Sequence, residues 1–160
     1  MTAALMLLLG IVLTAGTFVF VSAEFSLVAV DQAVLEKKAE EGDRGAASVL
    51  RATRTLSTQL SGAQVGITLT TILLGYTTQS ALAQLLEDLL GLAWGLATGI
   101  AAFVAAVFIN VFSMLFGELV PKNLALAHPM STAKRVVPFQ MMFTAIARPI
   151  IWVLGGTANW

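Results

Sequence analysis

The sequence predicts an all-α membrane protein: three transmembrane helices, a cytoplasmic juxtamembrane helical belt, and a bent, re-entrant or interfacial C-terminal helix. Three observations predict it. Of 160 residues, 58% are hydrophobic and only 11% charged, against roughly a quarter charged in a soluble domain. Uncharged runs recur that are long enough for a bilayer core, which takes about 20 apolar residues. The nine Lys and Arg are confined to the stretches outside those runs. Zero formal net charge leaves no overall field to gather nucleic acid. The absence of Cys excludes disulfides, thiol chemistry and Cys-held zinc or iron–sulfur centres. With a single His, any metal would be held mainly through oxygen, as hard cations are.

The first span runs from Ala3 to Val30, with Glu24 its only charge. No basic region precedes it and no small-residue cleavage site follows, so it reads as a retained span and not a leader. Asp31 to Arg54 then mixes five acids with five bases around Val34, Leu35 and Ala39. Gly42 and Gly45 are expected to break the segment into a pair of short amphipathic helices. Its balanced charge suits a solvated collar at the membrane face better than a basic lipid-binding helix.

The second span covers Leu56 to Leu86 and the third Leu89 to Phe116, both rich in small residues. Gly62 with Gly66, and Gly91, Gly95 and Gly99, repeat at four-residue spacing, which lets helices approach closely. A fourth apolar stretch, Val136 to Leu154, holds Pro138, Arg148 and Pro149, which are expected to interrupt the helix and keep it from spanning cleanly. Lys37, Lys38, Arg44, Arg51 and Arg54 separate the first two runs, whereas the connection between the second and third carries Glu87 and Asp88 without a base. The positive-inside rule then places the N-terminus outside and Trp160 inside. Termination in GGTANW directly after an apolar stretch suggests the membrane portion of a longer protein.

Ionisable residues within spans are functional candidates, because each costs roughly 2.5–3.5 kcal/mol to insert. Glu24 is one; Glu118 is the other, with Lys122 one turn later in GELVPK. A Glu–Lys pair at that spacing could simply stabilise a helix end. Pro121 between them removes a backbone donor and crowds the carbonyl of Gly117, so the helix is expected to open at Gly117. Freed carbonyls beside one carboxylate are ligands for a hard cation; a structural kink is the competing reading. Ser22 and Ser26 share a face of the first span, with Glu24 pointing roughly the other way. Gln64 and Thr68 form a second polar pair, followed by Thr70 and Thr71. His128, beside Pro129 in a connection, reads as structural. Nothing in the chain supplies a phosphate loop, nucleophile elbow or catalytic triad, so no enzyme is expected.

Three segments carry a family likeness: SAEFSLVAV (Ser22 to Val30), LSGAQVGITLTTILLG (Leu60 to Gly75) and FGELVPKNLA (Phe116 to Ala125). Together they resemble the cyclin M/CorC membrane domain, over essentially the whole chain. The resemblance implies a homodimer of three-span protomers in the cell membrane, followed by a cytoplasmic pair of nucleotide-sensing CBS modules. It implies export of Mg²⁺, exchanged for Na⁺, from an inward-facing acidic cavity. Carried over by motif, Gly117 would offer a carbonyl, Glu118 its carboxylate, and Ser22 and Ser26 their hydroxyls, while Pro121 and Lys122 belong to the structural turn. Where many members have asparagines at the start of the second span, this chain has Gly62 and Gly66, with Gln64 and Thr68 as substitute ligands. Some relatives with that variation are linked to polyamine export, so an organic cation is the alternative cargo. A membrane anchor for the CBS modules is the alternative from another class. The role of Glu24 stays open between pairing with Lys122 and forming a Na⁺ site.

Overall fold

The computed structural model describes residues 3–90 and 96–158. Among these the secondary structure is helical, in the order α1 (Ala3–Ala29), α2 (Gln32–Glu40), α3 (Arg44–Thr53), α4 (Leu56–Leu90), α5 (Leu96–Ser113), a π-helical turn (Met114–Leu119), α6 (Val120–Ala127) and α7 (Pro129–Ala158). Gly91 and Gly95 lie outside the described residues.

α1 is the central helix, packed against α4, the π-turn, α6 and α7. It pairs with α4 in antiparallel fashion. Phe20 abuts Gly66, the Thr17 and Thr70 hydroxyls lie 2.7 Å apart, and the Thr78 hydroxyl donates to the Met6 carbonyl at 3.3 Å. Gly10 and Gly66 allow this approach, since a Cβ on either would come within 2.6 Å of Thr78 or the Phe20 ring. Along the seam, Thr14 and Thr70 return their hydroxyls to the carbonyls of Gly10 and Gly66 at 2.9 Å, which satisfies them where water is absent.

Three helical stretches are long and apolar enough to cross a membrane: Ala3–Ala29, Thr98–Ala127 and Pro129–Val153. α4 is more polar, yet at 35 residues it is about 52 Å long and lies beside α1 from Phe20 to Met6. Apolar side chains such as Ile11, Ile72, Phe103 and Phe108 are 60–69% exposed on the protein surface, as a lipid-facing surface requires.

The C-terminal helix corrects one expectation. α7 continues through Pro138 and Pro149 for 30 residues, and the prolines do not interrupt it. Proline already holds a helical φ and removes only one backbone donor, a loss that packed membrane helices absorb. Side-chain contacts hold α7 in place. Lys134 pairs with Asp43, Gln140 Nε2 donates to the Gln59 carbonyl and to Thr144 Oγ1 at 3.0 Å, and Thr144 occupies the space above Gly62.

The belt forms as two capped helices. Asp31 and Asp43 accept the backbone N–H of Val34 at 3.1 Å and of Ala46 at 3.0 Å, each closing a helix start. Gly42, at φ 92°, makes the left-handed bend between them, whereas Gly45 sits inside α3 and breaks nothing. Leu35, Ala46, Val49 and Ala52, all fully buried, join Leu27, Val30, Ala133 and Val137 in one apolar cluster. The belt is thus bolted to α1 and α7.

Candidate cation-binding groove

The opening expected at Gly117 takes the form of a π-turn. The Val120 N–H reaches back to the Leu115 carbonyl, one residue further than in an α-helix. The next bond in that register would need an N–H on residue 121, which is proline. Phe116 therefore loses its donor in the π register and Gly117 its donor in the α register. One backbone donor is thus missing at this point, within a π-bulge of the kind frequent at functional sites. Gly117 is buried, and a Cβ there would lie 3.3 Å from the Thr17 side chain. The turn is pressed onto α1 through its glycine.

With Gly117 directed inward, the next residue projects outward. Glu118, Leu119 and Lys122 form one wall of a groove of about 340 Å³; Val21, Glu24 and Phe25 of α1 form the second wall, and Gln64 and Ile67 of α4 the third. The ionisable groups are two carboxylates and one ammonium, so the groove carries a formal charge of −1. Lys122 Nζ stands 4.9 Å from the centre of the Phe25 ring, a cation–π distance. Among the described residues the one ion pair is Lys134–Asp43, so Lys122 rests on the ring and makes no direct ion pair with Glu118 or Glu24. No group of three or more His, Cys, Asp or Glu side chains gathers as a metal cluster among the described residues. Any ion here would be held by two carboxylates at most, with neutral oxygens completing its shell.

The anticipated ligands divide into two sets. Glu118 and Gln64 face the groove, and Glu24 joins them. Ser22 and Ser26 are fully buried on another face of α1, where Ser26 Oγ donates to the Ala23 carbonyl at 3.3 Å and Ser22 Oγ has no protein partner. Thr68 is one turn beyond Gln64 and returns its hydroxyl to the Gln64 carbonyl at 2.8 Å. Thr70 turns toward Thr17. Sequence spacing sets Glu24 opposite the serines; what it does not reveal is that the serine face is the packed one. The pointer in the sequence is the charge itself, since an acid within a span has a functional reason by default.

Comparison with known proteins decides the family. The cyclin M transmembrane N-terminal domain profile matches residues 8–160. The chain belongs to the cyclin M transmembrane family. It is a multi-pass membrane protein of a transport-type family. The chain is 44% identical to UPF0053 protein MT1890 of Mycobacterium tuberculosis, over 92% of this chain and 33% of that protein. It is 37% identical to the uncharacterized protein Rv1841c of the same species, over 95% of this chain and 44% of that protein. UPF0053 protein YhdP of Bacillus subtilis is 32% identical, over 96% of this chain and 35% of its own length. The chain thus spans a third to somewhat under a half of these relatives.

Proposed function

We propose that this chain is the membrane domain of a secondary transporter that exports Mg²⁺, with Na⁺ influx as the driving force and Glu118 as the principal ligand. The observation that carries this reading is the meeting of Glu118, Glu24 and Gln64 in one groove beside a π-turn that is followed by a proline without an N–H to donate. Mg²⁺ takes oxygen ligands and keeps several waters, binding through one or two carboxylates. A groove of net charge −1 that also holds Lys122 would bind it weakly enough to release it. Glu118, Gln64 and Glu24 are the polar side chains that line the groove; Ser22 and Ser26 are buried on another face of α1, where Ser22 Oγ has no protein partner and would serve an ion seated deeper between the helices. The same reading makes the protein a homodimer in the cell membrane, with nucleotide-sensing CBS modules on the remainder of the full-length chain.

One observation favours a second cargo. The Lys122 ammonium rests on Phe25 inside the groove, and a polyamine presents the same primary ammonium. The deciding experiment measures thermal stabilisation of the full-length protein by Mg²⁺, Na⁺ and putrescine, in wild type and Glu118→Gln. A Mg²⁺-selective shift lost in the variant supports the Mg²⁺ reading. A putrescine-selective shift replaces it with polyamine export, and no shift with any cation leaves a membrane anchor.

A further inference from the structure

A second polar hollow lies where α1 passes into α2 and α6 into α7. It has a volume of about 490 Å³. One part of its wall is apolar, formed by Ala29, Val30, Val34 and Met130. The other part is cationic and hydrogen-bonding: Lys38 from α2, Lys134 and Ser131 from α7, and His128 from the α6–α7 junction. Asp31 also lines it, but its carboxylate is engaged by the Val34 N–H at the start of α2. Lys134 leans toward Asp43, while Lys38 and Asp31 have no salt-bridge partner among the described residues; Lys38, Lys134 and Asp31 together give the lining a formal charge of +1. α7 begins inside the hollow, with Thr132 N–H bonded to the His128 carbonyl. The N–H groups of Met130 and Ser131 precede that first bond and point out of the helix start.

We propose that this hollow binds the phosphate of an anionic phospholipid headgroup. The two-part wall fits such a molecule and not a free phosphate: Val34, 45% exposed, and Met130 would meet the glycerol and first acyl carbons, while Lys38, Ser131 and the α7 start take the phosphate. Its position fits as well. Ala29 ends one membrane helix and Pro129 starts another, so the hollow opens at the boundary between hydrocarbon and headgroups. By the positive-inside rule that boundary belongs to the cytoplasmic leaflet, where anionic lipids concentrate and basic pockets between membrane helices hold their headgroups. A lipid seated there would bridge α1, α2 and α7, and so tie the belt to the bundle.

The test titrates the full-length protein in neutral detergent with dioctanoyl phosphatidylglycerol, dioctanoyl phosphatidylcholine or inorganic phosphate, and follows its thermal unfolding. The expected result is saturable stabilisation by phosphatidylglycerol alone, weakened by salt, with apparent affinity about fivefold lower in Lys38→Gln. Val34→Glu, which places a carboxylate on an already exposed position, should abolish the effect while leaving the unliganded melting temperature near wild type. Equal stabilisation by phosphatidylcholine overturns the proposal, because charge then plays no part. Stabilisation by inorganic phosphate to the same extent also overturns it, reassigning the hollow to a soluble anion. A phosphatidylglycerol effect unchanged in both variants locates the lipid elsewhere and overturns it equally.

Discussion

The ring of Phe20 occupies the space where Gly66 would carry a side chain: a Cβ there would come within 2.6 Å of it. The same ring meets Phe143 at 4.6 Å and Phe139 at 5.8 Å between centroids, so a single side chain on α1 contacts both α4 and α7. Gly66 stands where the family resemblance places an asparagine in many members, and its packing role explains how a glycine is accommodated there. Gly66→Ala should destabilise the protein by about 1–3 kcal/mol through overpacking, read as a lower melting temperature in detergent. A variant as stable as wild type would show that the α1–α4 contact tolerates an opening of the seam.

Pro121 keeps the π register from continuing past Val120. Pro121→Ala restores an N–H that can bond Gly117 or Phe116, and proline is costly within a helix. The expected outcome is a protein of equal or greater thermal stability with at least about tenfold weaker cation binding, a loss of about 1.4 kcal/mol. Stability and binding that fell together would assign the proline a purely structural role.

Glu24 and Glu118 share the groove, so their effects on cation binding should not add. Glu118→Gln is expected to remove binding, Glu24→Gln to weaken it, and the double variant to resemble Glu118→Gln, because residues that serve one ion couple. Calorimetric titration of the four proteins closes that cycle. Strict additivity would place the two carboxylates at separate ions.

Asp43 lies below the usual carboxylate range, chiefly because Lys134 hydrogen-bonds its side chain, with the Ala46 N–H contributing. A depressed folded-state pKa means that the stabilisation is complete above the unfolded value of about 3.9 and disappears as pH falls through the folded value. Asp43→Asn retains a capping oxygen but not the charge. Relative to wild type it should be less stable near neutral pH, and the difference should vanish in strong acid. Melting curves from pH 7 to pH 2 check this, and a difference that persists in acid would mean that the substituted amide fails as a cap.

Much of the architecture was legible because its causes are local. Gly42 announces the break between two belt helices through short-range backbone chemistry, whereas Gly45 falls inside α3 and the caps at Asp31 and Asp43 emerged only in the structure. Pro121 announces an opened turn at Gly117, and the structure answers with a π-turn there. Pro138 and Pro149 misled for an equally physical reason. A local rule assigns proline the breaking of a helix, whereas α7 is held continuous by contacts distant in sequence: Lys134 with Asp43, Gln140 with Gln59 and Thr144 over Gly62.

The sequence by itself determined that this is a helical membrane protein, that acids at Glu24 and Glu118 demand a reason within the bilayer, and that the chain opens beside Glu118. Each follows from composition, insertion cost or the missing donor of one proline. Only the tertiary structure decided which polar residues share a groove. Helical periodicity fixes that Ser22 and Glu24 point apart, but not which side another helix will cover. Helix packing buried the serines and left Glu24 lining the same groove as Glu118.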